Sequence, residues 1–109
     1  MVVGTGLIDL LIPECGSLKE KRSVLSRIIR RTQNEFNCSI AEVGDNDIWR
    51  RARIGFCVVG NDKAYINAKM DHILQFVERL DLAQVLRSRI EIMSLDDLME
   101  GPVEEGKYD

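Results

Sequence analysis

The chain has 109 residues, 45% of them hydrophobic and 30% charged, a balance that fits one globular domain with one core. Its net charge of −3 gives no general case for nucleic-acid binding, but the charge is uneven: residues 96–109 carry −5, from six acids and one lysine, so residues 1–95 carry +2. Three widely spaced cysteines argue against a disulfide framework, and no apolar run approaches the roughly 20 residues of a membrane helix, so we expect a cytoplasmic protein that does not enter a membrane.

A first strand is predicted over about residues 2–12, because its apolar side chains alternate so that one face of the strand is wholly apolar. Gly4 and Gly6 weaken the start of this strand and suggest a bulge there. Pro13 and Gly16 end the strand, since neither residue favours its continuation.

A helix is predicted from Ser17 to about Phe36, and Ser17 and Glu20 have the spacing of a capping box. At helical spacing, one face of this helix forms a core stripe made of Leu18, Leu25, Ile28, Ile29, Thr32 and Phe36. Lys21 and Arg22 flank the stripe. The far side of the helix carries Lys19, Arg27, Arg30 and Arg31.

The remaining elements, in chain order, are a strand over about 38–43, a strand over about 49–59, a helix over about 63–80 and a strand over about 85–93. Asn61 or Asp62 caps the second helix. The element order is that of an α+β, ferredoxin-like β-α-β-β-α-β fold, a four-stranded antiparallel sheet with two helices on one face. Residues 1–95 form this single domain, and residues 96–109 form an acidic C-terminal tail that we expect to be frayed and flexible.

The other face of the sheet is predicted to be open and mixed in character. It would carry Leu7, Leu11, Ala41, Val43, Cys57, Val59 and Met93, beside Asp9, Arg53, Arg89 and Glu91. So many apolar side chains are unfavourable in water, so we expect another chain, or the tail, to cover part of this face.

The chemistry that often accompanies this topology is missing from the chain. Cys15 offers a single sulfur after the first strand, whereas a thiolate metal site needs more than one, so no metal or cofactor is predicted. An RNA-recognition domain of this shape stacks bases on aromatics of its first and third strands, but here Phe56 falls on the predicted core face and the first strand has no aromatic. His72 lies away from the apolar face of the second predicted helix, and we interpret it as a surface residue. We therefore predict that the protein is not an enzyme.

Two basic clusters are the candidate binding residues. The first helix holds six basic residues between Lys19 and Arg31, and these form either a solvated face or a surface for phosphates. Trp49 is followed by Arg50 and Arg51, a pattern that fits a packing tryptophan beside a turn, an RNA contact or a protein hot spot. The predicted nucleic-acid-binding set is Lys19, Lys21, Arg22, Arg27, Arg30, Arg31, Trp49, Arg50 and Arg51.

Two stretches of the chain resemble a known family. They are Ser17-Leu18-Lys19-Glu20-Lys21-Arg22 and Ala41-Glu42-Val43 followed by Asp47, Trp49, Arg51-Ala52 and Gly55. Over about residues 1–95 the chain is similar to the YlxP-like family, bacterial domains of unknown function. The family's recurrent positions correspond to Ser17, Lys19, Glu20, Lys21, Arg22, Glu42, Asp47, Trp49 and Arg51. The chain departs from the family at Gly44-Asp45-Asn46, where many members have a shorter polar turn with a histidine.

The resemblance implies a ferredoxin-like fold and no established activity. Genes of the family often stand near those of translation initiation and ribosome-maturation factors, which favours a non-enzymatic module that binds RNA or a ribosomal subunit. The alternative is a protein-interaction or homodimer-forming module that uses the open sheet face. A third hypothesis, an enzyme, would have to use Glu42, Asp47 or the loop at Ser17 for acid–base chemistry.

Overall fold

The computed structural model describes residues 1–13, 15–45 and 48–95. Its elements, in chain order, are β1 (Val2–Leu11), α1 (Leu18–Glu35), β2 (Ser39–Gly44), β3 (Arg51–Gly60), α2 (Lys63–Leu80) and β4 (Gln84–Ser94). The strands form one antiparallel sheet in the order β2-β3-β1-β4, with β1 paired on both sides. The predicted ferredoxin-like fold is therefore confirmed. Asp47 and the predicted tail 96–109 lie outside the described residues.

The hydrophobic core lies between the helices and one face of the sheet. β1 contributes Ile8 and Leu10 to it, β3 contributes Ile54, and α2 contributes Met70 and Ile73, all five fully buried. Asp62 caps α2 with its carboxylate, which accepts hydrogen bonds from the backbone N–H groups of the first turn. No helix in the described part of the chain has the length and apolar character needed to cross a membrane.

The bulge predicted at Gly4 and Gly6 is wrong. Both glycines lie in regular pairing with β3 and β4, and they are buried because larger side chains fill the space above them. A Cβ atom on Gly6 would lie 2.4 Å from the ring of Phe56, so a glycine here lets that ring pack flat on the strand. The irregularities of the sheet fall instead between Asp9 and Leu10, facing β4, and between Glu42 and Gly44, facing β3.

Three connections meet at one end of the sheet: the β1–α1 loop, the β2–β3 hairpin and the α2–β4 loop. The backbone N–H of Ile12 donates to the carbonyl of Arg50 at 2.8 Å, which joins the first two. Pro13 lines a surface depression together with Asp81 and Ala83, which brings in the third. This end of the molecule holds the start of α1 and the tip of the hairpin, where most of the predicted binding residues are found.

Candidate nucleic-acid interface

The start of α1 is fixed by the predicted capping box. The Ser17 Oγ accepts a hydrogen bond from the backbone N–H of Glu20 at 3.1 Å. The Glu20 carboxylate reaches back one residue beyond the cap and accepts from the backbone N–H of Gly16 at 2.8 Å. Two N–H groups near the helix start, which would otherwise have no partner, are thus satisfied, and the first turn is held in one orientation.

The exposed side of α1 carries an uncompensated basic surface. Its members are Lys19, Arg22, Arg27, Arg30 and Arg31, and each is exposed. Among the residues that the structure describes, none of these five side chains forms an ion pair. We call this set the helix surface. Five solvated cations on one side of a helix are free to contact phosphates without first breaking internal pairs.

Lys21 does not belong to this surface, and its predicted role as an exposed nucleic-acid contact is wrong. Its side chain is 1% exposed and crosses to the β2–β3 hairpin. The ammonium donates hydrogen bonds to the carbonyls of Asp45 and Ile48 at 2.5 and 2.7 Å, and it lies 3.1 Å from the carboxylate of Glu42. Through these two hydrogen bonds and the ion pair, Lys21 joins α1 to the hairpin, and its buried ammonium is not exposed to a phosphate.

The hairpin tip divides the second predicted cluster. Trp49 and Arg50 lie in the turn, and the indole of Trp49 is 53% exposed. Because Lys21 holds the neighbouring carbonyl of Ile48, this tip lies against the start of α1, next to the helix surface. Arg51 begins β3, and alternation along the strand places it opposite Leu11 on the open face of the sheet.

An ion cluster on the open face is absent from the predicted set. The Asp9 carboxylate accepts two hydrogen bonds from Arg53, at 2.7 and 3.1 Å, and one from Arg87 on the other neighbouring strand at 2.5 Å. The hydrogen bonds from Arg53, and then those from Arg87, hold the pKa of Asp9 well below its usual range. This grouping depends on the cross-strand register, in which Asp9 is opposite both arginines, and no local motif reveals it.

The same face contains an elongated groove. A depression of about 500 Å³ is lined by apolar side chains that include Leu7, Val43 and Cys57, with Arg89 and Glu91 at its border. A second depression of about 460 Å³ contains the Asp9 cluster and shares Leu7 and Arg89 with the first. The predicted open face is thus exposed, mixed and concave.

Of the residues considered for acid–base chemistry, the two that the structure describes, Glu42 and Ser17, have structural partners. Glu42 forms the salt bridge with Lys21, and Ser17 caps α1. The thiol of Cys15 is buried and donates to the carbonyl of Ser17 at 3.1 Å. His72 is exposed on α2. No group of three or more His, Cys, Asp or Glu residues in ranges 1–13, 15–45 and 48–95 is placed to hold a metal ion.

Comparisons with known proteins place these features in a family. The model of a protein family of unknown function, DUF503, matches residues 3–90. The uncharacterized protein YlxP of Bacillus subtilis (strain 168) is 38% identical over 77 residues, which cover 71% of this chain and 84% of that protein. The matched range includes the capping box, the Lys21 contacts and the hairpin tip.

Solved structures resemble the fold at low identity. The de novo designed protein Foldit4 superposes with a TM-score of 0.51 at 15% identity, covering 86% of this chain and 98% of its own. A putative chlorite dismutase has a TM-score of 0.49 at 18% identity, covering 91% of this chain and 47% of its own. The likeness to the designed protein concerns the fold alone. The family model and the Bacillus relative together show that the chain belongs to the DUF503 family, the family of YlxP.

Proposed function

We propose that this protein is a non-enzymatic binding module that contacts structured RNA, as free RNA or within a ribosomal subunit, through the helix surface and the adjoining hairpin tip. The observation that supports the proposal most strongly is the set of five exposed basic side chains on α1, none of which forms an ion pair within the described part of the chain. Their charge is local, since the whole chain is acidic, and local charge rather than net charge sets the attraction to a phosphate backbone.

The hairpin tip adds a second kind of contact. Trp49 offers an exposed aromatic face on which an unpaired base can stack, and Arg50 follows it in the turn. The Lys21 bridge contributes indirectly, because it holds the tip against the start of α1. Lys21 is thus a positioning residue in the proposal, while the contacts come from its exposed neighbours.

The test is co-sedimentation of the full chain with ribosomal subunits and with free structured RNA across a salt series. We expect binding that weakens steeply with salt, because each phosphate contact releases counterions. The variant Arg27→Glu/Arg30→Glu/Arg31→Glu should lose binding. Replacing the same arginines by glutamine should make the plot of log binding constant against log salt concentration less steep. Its slope should change by about 0.7 for each lost phosphate contact with a single-stranded region.

A matched control reverses the three basic residues of α2, Lys63→Glu/Lys69→Glu/Arg79→Glu, which changes the net charge by the same amount on a neighbouring helix. This control should retain most of the binding. Equal losses in the two reversed variants would mean that only overall charge matters, and binding that does not respond to salt would contradict the proposal.

The alternative function, a protein-interaction or homodimer-forming module, would use the opposite side of the molecule. It is supported by the exposed apolar side chains of the open face, among them Leu7, Val43 and Val59. Sedimentation equilibrium at high protein concentration separates the two functions. A dimer that is insensitive to charge reversal on α1 would favour the alternative.

A further inference from the structure

The open face of the sheet has a chemical gradient along its strands. At the β1 start, Val3 lies between Val59 of β3 and Met93 of β4. Towards the other end of β1, Asp9 lies between Arg53 and Arg87, in the same register. The open face therefore has an exposed apolar row at one end and an arginine-rich cluster at the other, where the second depression lies.

The cationic end keeps a positive charge despite its internal ion pairs. Among the described residues of β1, β3 and β4, four arginines face this side, Arg51, Arg53, Arg87 and Arg89, against two carboxylates, Asp9 and Glu91, which leaves +2 on these strands. Asp45 of the hairpin also acts electrostatically on Arg53. The guanidinium groups of Arg87 and Arg89 remain largely in solvent, with side chains 75% and 78% exposed. They can accept further carboxylate partners without giving up the pairs that they already make.

The chain itself supplies a segment of matching chemistry. Residues 96–109 contain six acids and one lysine, a charge of −5, and they also contain Leu98, Met99 and Val103. An apolar acidic peptide is complementary to a sheet face with an exposed apolar row and an arginine-rich end, because burial of the apolar side chains and pairing of the charges favour the same placement.

The described chain ends where such a segment would have to start. The backbone N–H of Leu95 donates to the carbonyl of Met1 at 3.0 Å, beside the apolar row that contains Met93. The distance from Met93 back along β4 to Arg87 is six residues, roughly 20 Å of strand. Residues 96–105 span up to roughly 33 Å when extended, so the segment is long enough to follow the groove to its cationic end.

We propose that residues 96–109 dock in cis on the open face of the sheet, with their apolar side chains on the Val3–Val59–Met93 row and their carboxylates at Arg87 and Arg89. This placement is an alternative to the frayed tail expected from composition. A second copy of the chain is a poorer occupant of the face, since it would bring one +2 surface against another. The helix surface is also a poorer partner for the segment, because α1 lies on the other side of the sheet from the groove.

The experiment places a nitroxide on the tail of the full chain. The label is attached at Gly101→Cys in a Cys15→Ser/Cys38→Ser/Cys57→Ser background, and backbone amide signals are measured in ¹⁵N-labelled protein. We expect strong signal loss at the amides of Leu7, Val59 and Arg89, and little at those of Arg27 and Arg31. The loss should diminish at high salt, where charge pairing is screened.

Two matched variants locate the charge pairing. Arg87→Glu/Arg89→Glu should abolish most of the signal loss on the sheet face, whereas Arg27→Glu/Arg31→Glu, with the same change in net charge, should leave it intact. In the labelled protein without charge reversals, signal loss at the amides of α1, or no signal loss outside the tail, would overturn the proposal. This result does not depend on the folding of either reversed variant. Signal loss only when ¹⁵N-labelled and nitroxide-labelled chains are mixed would show docking between copies and would overturn the cis arrangement.

Discussion

Lys21 is the side chain whose environment differs most from its expected one. It lies four residues before Leu25 and seven before Ile28, so it follows the buried stripe of α1, and a charged residue there requires partners from elsewhere in the chain. Those partners are Glu42 on β2 and two carbonyls of the hairpin, more than twenty residues away in sequence.

The variant Lys21→Met should be destabilised by about 3 to 5 kcal/mol, the usual cost of removing one partner from a buried ion pair. The Glu42 carboxylate and the carbonyls of Asp45 and Ile48 would lose their cation. Urea unfolding measures the loss. The control Lys19→Met, two residues away and exposed, should change the free energy of unfolding by less than about 0.5 kcal/mol. Equal midpoints for the two variants would refute the assigned role of Lys21.

Asp9 predicts a specific acid sensitivity. The unfolded chain releases the proton of an aspartic acid at about pH 4, whereas Arg53 and Arg87 lower the pKa of Asp9 in the folded state. The ion cluster therefore stabilises the fold fully above about pH 4, and this contribution is lost as the pH falls further. Asp9→Asn should be less stable than the parent protein at pH 7, and its free energy of unfolding should fall less steeply on acidification. Parallel pH profiles of the two proteins would contradict this assignment.

At the scale of single elements, Gly6 of β1 leaves less room for a Cβ atom than any other glycine in the described part of the chain, because the ring of Phe56 on β3 lies against it. A methyl group at Gly6 would lie 2.4 and 2.5 Å from two atoms of the buried Phe56 ring, so that ring or the strand has to move. We expect Gly6→Ala to lower the free energy of unfolding by about 1 to 3 kcal/mol, as overpacking of a core does.

The matched control for this element is Gly16→Ala, because a Cβ atom there would meet only the Glu20 carboxylate oxygens at 3.7 and 3.8 Å. That variant should be close to the parent protein in stability. Thermal unfolding of both variants checks the pair, and a Gly6→Ala protein as stable as the parent would show that the Phe56 ring has room to move.

The elements themselves were largely predictable because their periodicity is local. The stripe of α2 and the capping residue Ser17 of α1 can be identified within windows of a few residues, and the strand and helix ends fall within about two residues of the predicted ones. The bulges could not be predicted, since a bulge such as that between Asp9 and Leu10 is a property of two strands paired in one register.

At the scale of the whole molecule, the predicted binding residues fall into four environments. Arg27 remains on the helix surface, and Trp49 lies at the hairpin tip. Lys21 becomes internal, and Arg51 lies on the far side of the sheet. Charge clustering along the sequence finds the first group because helix neighbours are close in sequence. It fails for the others, because the sheet brings Arg53 and Arg87 together around one carboxylate from strands more than thirty residues apart.

The position of β1 in the centre of the sheet has a consequence for how the chain acquires its structure during synthesis. β1 is made before the other strands of the sheet, yet it pairs with β4, so that Val2 meets Ser94 across about 90 residues of chain. Until β4 has been made, one edge of β1 has unsatisfied backbone groups and the adjoining side of α2 has only part of its packing. Contacts of such long sequence separation form slowly. The nascent chain therefore presents an aggregation-prone strand edge until β4 has been made, and closure of the sheet is a late event in folding.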